Sequence, residues 1–190
     1  MNVAPKVLTF AKKTGHVIAL KQRGFTLIEL GIVVVIGSIL LAVALSIATT
    51  VLADNRANDE LKEVPLIVTR IQKLYNNRAN FTGLTTALAI SQNSFPANRV
   101  TSTTTVTNRW GGTITVAPAT MVTASDAVTA TYTNVPKSEC LAVLPQLDSS
   151  MRTMTVGGTS TKADGVPTDL TALGTQCALA PTTVVYTFSK

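Results

Sequence analysis

Histidine is nearly missing from this chain of 190 residues: the single copy, His16, lies among the first 24. Cysteine occurs only twice, as Cys140 and Cys177, and tryptophan once, as Trp110. A metal centre built from His and Cys clusters therefore has too few ligands. Histidine-based acid–base catalysis and a cysteine-rich scaffold are excluded on the same grounds. No glycine-rich phosphate cradle and no defensible pair of catalytic carboxylates stands out either. An enzyme is not expected, and no cofactor is implied. The most telling scarcity is of charge: residues 30–53, 24 in a row, include no Asp, Glu, Lys or Arg.

The net charge of +6 invites a nucleic-acid reading. Its location argues otherwise, because Lys6, Lys12, Lys13, Lys21 and Arg23 precede residue 25 with no acid among them. Without that segment 11 basic residues face 10 acidic ones, and the chain is near neutral. A basic flank before an apolar run stays cytoplasmic and directs the chain beyond the run outward. The apolar run is too long for the core of an ordinary secretory signal, and it begins too far from the N-terminus.

At about 1.5 Å per residue, the uncharged stretch makes roughly 36 Å of helix, enough to cross a hydrocarbon layer of about 30 Å. Glu29 sits at its start, preceded by Lys21-Gln22-Arg23-Gly24-Phe25-Thr26-Leu27-Ile28. An ionisable group inside a span marks function and calls for a partner, whereas one at headgroup level costs little. Cleavage after Gly24 would create that partner, since a new amine on Phe25 is protonated below a pKa of about 8.

The stretch Arg23-Gly24-Phe25-Thr26-Leu27-Ile28-Glu29 resembles the processing motif of the type IV prepilins at every position. The resemblance implies cleavage after Gly24 by a prepilin peptidase, N-methylation of Phe25 by the same enzyme, and a role in assembly for Glu29. The long leader is similar to that of the type IVb branch. The implied fold is α+β: a long N-terminal helical spine followed by a globular antiparallel β-sheet head. The corresponding organisation is leader 1–24, transmembrane and polymerisation helix 25–53, amphipathic continuation 54–77, and head 78–190. The implied function is that of a structural subunit of a type IVb-like pilus, used for adhesion, aggregation or mating-pair contact. Its partners are further copies of itself, the peptidase and methyltransferase, the inner-membrane assembly machinery and the membrane; no motif identifies a receptor. Before assembly the leader is cytoplasmic and the head periplasmic, and after it the filament is extracellular. The alternatives are a type II secretion pseudopilin and a membrane-anchored binding domain that never polymerises.

Beyond residue 53, Val64, Ile67, Val68, Ile71, Leu74 and Tyr75 recur at spacings of three and four, the pattern of one buried helical face. A helix to Asn77 is expected, with a kink or short break at Pro65. A short helix is expected over 85–92, where Pro96 lies beyond its end. Threonine- and valine-rich segments predict strands over 103–108, 113–117, 128–133, 151–156 and 182–188. Helical pieces are expected over 136–147 and 169–174, and 159–169 reads as polar loop. Trp110, beside Gly111 and Gly112, reads as a packed anchor rather than a ligand contact. Asn80-Phe81-Thr82 fits a glycosylation sequon to which no function is attached. Cys140 and Cys177 lie in the part expected outside, where a pair is bridged in preference to free. In pilins a disulfide encloses a variable region near the C-terminus, which implies a bounded segment 140–177 here.

Overall fold

The computed structural model describes residues 26–190. The expected leader, Gly24 and Phe25 fall outside them. The chain divides into two compact units, Met1–Ala44 and Leu45–Lys190, and helix α1, Leu27–Leu74, supplies residues to both.

In the second unit α1 buries Ala57, Glu60, Val64, Ile67, Val68 and Ile71, a stripe at the expected three-and-four spacing. The helix ends at Leu74 rather than Asn77 and continues through Pro65 without the expected break. Proline deletes one backbone donor, and the buried Val64, Ile67 and Val68 hold the turns on either side of it. The next element, α2 (Thr86–Ser91), starts where the Thr85 hydroxyl accepts the Leu88 N–H at 3.1 Å.

The sheet comprises β1 (Val106–Thr107), β2 (Thr113–Ala119), β3 (Ala127–Val135), β4 (Thr153–Val156), β5 (Thr159–Lys162) and β6 (Thr182–Ser189). Their spatial order is β1-β2-β3-β6-β4-β5, antiparallel throughout. The last strand therefore lies centrally, with Val184, Tyr186 and Phe188 buried in the core beside Ala130 and Tyr132 of β3. Two helices, α3 (Lys137–Val143) and α4 (Leu170–Cys177), flank the β4–β5 hairpin in sequence. Asp169 caps α4 by accepting the Thr171 and Ala172 N–H groups. A 3-10 segment, Leu144–Ser150, replaces the end of the helix expected to reach residue 147. Cys140 and Cys177 form a disulfide that joins α3 to α4.

Two further expectations, both about strands, need correction. Residues 159–162 are not loop but strand β5, whose Thr161 and Lys162 are buried. The strand expected over 103–108 shrinks to Val106–Thr107, because Thr105 O instead accepts the N–H groups of Thr101 and Ser102 and closes a turn.

Candidate functional site

The first unit contains Thr26 and Glu29, the described part of the segment expected to direct assembly. Thr26 starts α1: its carbonyl accepts the Leu30 N–H at 3.1 Å and its hydroxyl the Glu29 N–H at 3.3 Å. Thr26 and Glu29 stand at the two positions of a capping box, though only the hydroxyl half is formed. This cap is a signal the prepilin motif hides, since Thr-x-x-Glu is also a helix start. Glu29 in the first turn suits the positive end of the helix dipole. It is exposed, and among the described residues its carboxylate meets no cation.

All sixteen Leu, Ile and Val side chains from Leu27 to Leu52 are exposed. An apolar surface of that extent belongs against lipid or protein, and α1 is long and apolar enough to cross a membrane. The polar side chains in this run are quenched locally. Ser38 donates to Val35 O at 2.8 Å, Thr49 to Ser46 O at 2.8 Å and Thr50 to Ser46 O at 3.1 Å. Hydroxyls satisfied by their own helix can enter an environment without water.

The second unit contains a site that the sequence alone does not isolate. Glu60 falls in register with the buried stripe of α1, and the residue is 1 % exposed. Beside it, Arg99 reaches in from a 3-10 turn, Ala97–Arg99, and Arg109 from the loop between β1 and β2. Arg99 Nε lies 3.0 Å from Glu63 Oε2, and Arg109 Nη1 2.8 Å from Asp59 Oδ2, with Arg109 Nη2 also on Glu63 Oε1. The two arginines are thus taken by Asp59 and Glu63. Among the described residues, both Glu60 oxygens lack a hydrogen-bond partner, as do Arg99 Nη2, Arg109 Nε and Trp110 Nε1.

Burial, reinforced by the neighbouring Glu63, raises the Glu60 pKa to about 7 against the pull of Arg99 and Arg109. The tyrosines of the adjoining strands respond to the same environment. Burial pushes the Tyr132 and Tyr186 hydroxyls upward, and the charge of Glu60 adds to both shifts. Their rings meet edge to face with centroids 5.3 Å apart.

Trp110 is packed as an anchor, with Asn108 holding its loop in place. Asn108 Oδ1 accepts the Trp110 N–H at 3.0 Å and the Gly112 N–H at 2.8 Å, while Nδ2 donates to Thr133 O at 2.6 Å. At Gly112 a Cβ would stand 2.0 Å from Thr133 O, so the close approach of loop and β3 demands glycine. The sequon asparagine is engaged as well: Asn80 Nδ2 donates to Ala124 O at 3.3 Å.

The Prokaryotic N-terminal methylation motif matches residues 20–45. Among solved structures, the type IV b pilin from Salmonella typhi is similar at 18% identity with a TM-score of 0.57, covering 70% of this chain and 99% of that one. TcpA, a type IV pilin from Vibrio cholerae El Tor biotype, is similar at 13% identity with a TM-score of 0.53, covering 71% and 99%. At such identities the likeness establishes the fold, which is that of type IV pilins. No curated protein sequence is significantly similar. The profile described as PilS N terminal matches residues 54–189, most of the chain, and the protein therefore belongs to the PilS N terminal family.

Proposed function

We propose that this chain is a structural pilin subunit that is cut, N-methylated and polymerised into a type IVb-like pilus. The observation that supports this most is the methylation motif over residues 20–45 joined to a family match over 54–189. The exposed apolar side chains of residues 27–52 give it a physical basis. Before assembly they dissolve in the inner membrane, with the leader cytoplasmic and the head periplasmic. In the filament, outside the cell, the helices of other subunits take the place of lipid. Close packing and interhelical hydrogen bonds drive association of such helices, because lipid and side chain are equally apolar.

Cleavage between Gly24 and Phe25 by a prepilin peptidase leaves Phe25 as a methylated, cationic terminus. Thr26 remains to cap α1. Glu29 of one subunit then accepts the charge of a neighbour's terminus, and the pair fixes register. Breaking a buried pair strands a charge, so a misregistered subunit is penalised by several kcal/mol.

Glu29→Gln tests this assignment because it removes the charge and keeps the shape. Mass and N-terminal sequencing of the variant are expected to show normal removal of residues 1–24, while electron microscopy of sheared cells shows no filaments. Normal pili built only from the variant would end the pairing role. A wild-type product starting elsewhere than Phe25, or found only as monomer, would instead end the pilin reading in favour of an anchored domain. Filaments seen only on overexpression would point to a secretion pseudopilin.

A further inference from the structure

The segment 97–112 is an excursion at the edge of the sheet, anchored by the buried Val106 and Trp110 and by the Asn108 and Asn134 side chains. Its strand β1 pairs with β2 through two residue pairs only, Val106 with Ile114 and Thr107 with Thr113, and an isolated bridge joins Val100 to Val106. Its polar contacts with α1 come from the charged cluster, where both arginines of the excursion meet acids of the helix. That cluster is unbalanced: Asp59, Glu60 and Glu63 face Arg99 and Arg109. With Glu60 neutral the charges match, and with Glu60 ionised one negative charge is left over on a carboxyl that is itself buried, although Asp59 and Arg109 at the rim of the cluster reach solvent. From the sheet side the charge of Glu60 acts on Tyr132 and Tyr186, neither of which supplies a cation. Five buried polar atoms without partners, on Glu60, Arg99, Arg109 and Trp110, mark the same place as incompletely satisfied.

We propose that Glu60 is a proton-operated latch between α1 and the 97–112 excursion, closed when the carboxyl is neutral and opened to water when it ionises. Opening hydrates the excess charge and exposes Arg99, Arg109 and Trp110. A surface with two states, set by ambient pH, results. The device belongs to the second unit alone and holds whether or not the chain polymerises.

The test uses the full chain after leader removal, in detergent micelles. No histidine remains in it, so no other side chain of ordinary pKa titrates between pH 5 and 8. Hydrogen exchange, corrected for the intrinsic rate, is followed at the amides of Asn108, Trp110 and Gly112, which are bonded within the excursion. If the closed form holds its proton up to a pKa of about 7 and the open form has an ordinary carboxyl, the opening equilibrium rises about tenfold between pH 6 and 8. Protection should fall by that factor, and the emission of Trp110, the only tryptophan, should shift red over the same range. In Glu60→Gln both responses should vanish. Wild-type protection that is flat from pH 6 to 8, or a variant that keeps the full response, overturns the latch. So does an equal loss at the β3–β6 pairs, such as Ala130 with Tyr186, because that reports global loosening. Should the variant fail to fold, the wild-type comparison of excursion with sheet still decides.

Discussion

Replacing Glu60 by glutamine should make the folded head more stable at pH 8, even though it deletes a charge beside two arginines. In the folded chain the Glu60 pKa is raised from 4.5 to about 7. The folded state therefore retains a proton that the unfolded chain releases above pH 4.5. The contribution is full below that value, declines as the pH rises, and has levelled off a little above pH 7. A gap of that size corresponds to about 3 kcal/mol at roughly 1.4 kcal/mol per pKa unit. Glutamine does not titrate, so the variant should match the wild type near pH 4.5 and exceed it by up to about 3 kcal/mol at pH 8. The acidic limb of the profile has a separate origin. Asp126, Asp148 and Asp164 have lowered pKa values, Asp126 through backbone N–H groups, and act only below the ordinary carboxylate range. Urea unfolding in detergent at pH 5 and pH 8, followed by Trp110 emission, measures the effect. A wild type equally stable at both pH values, or a variant less stable at pH 8, would show that Glu60 is ionised and held by the arginines.

Two further substitutions probe how the head is built. Replacing both Cys140 and Cys177 by serine opens a loop with a sequence separation of 37, and should cost about 4 kcal/mol in the chain-entropy model; a thermal melt with and without reductant checks it, the double variant being insensitive to reductant. Asn108→Ala leaves the N–H groups of Trp110 and Gly112 and the carbonyl of Thr133 without their partner. A loss of about 2–4 kcal/mol is expected, read by denaturant midpoint, and a loss below about 0.5 kcal/mol, a surface-like value, would mean that water replaces the side chain.

The parts of this molecule legible in sequence are those encoded by neighbours. The buried stripe from Val64 to Ile71 follows a local period, and Asp169 and Thr85 announce helix starts by residue type. The N-terminal methylation motif over residues 20–45 is contiguous. Strand β5 is hidden because Thr159-Ser160-Thr161-Lys162 has no apolar residue. Its Lys162 is buried only because Asp148 Oδ1, at 3.0 Å, and Val166 O, at 2.9 Å, receive its ammonium group. The helix runs unbroken through Pro65 for a related reason, since tertiary packing outweighs a single missing hydrogen bond. The Glu60 cluster is the least legible. Its arginines lie 36 and 46 residues from Glu63 in the chain, and only the fold brings them together. One local clue exists: an acid at residue 60, four positions before Val64 and three after Ala57, occupies a core position of the stripe.

Glu29 and Glu60 lie on one helix and face the same difficulty, a carboxylate among apolar side chains, with opposite resources. Around Glu60 the chain supplies two cations, but Asp59 and Glu63 claim them, and the cheapest remaining solution is a proton. Around Glu29 the described residues supply no cation at all, and a proton there would erase the feature that distinguishes one register of identical helices from another. The proposed partner from a second copy would resolve this without any change in the chain's own fold. Glutamine is a faithful mimic of the protonated form and a poor one of the paired form. The same chemical change should therefore be tolerated, even favoured, at residue 60 and be fatal to assembly at residue 29. If the two substitutions behaved alike, one of the two carboxylates would have been assigned the wrong state.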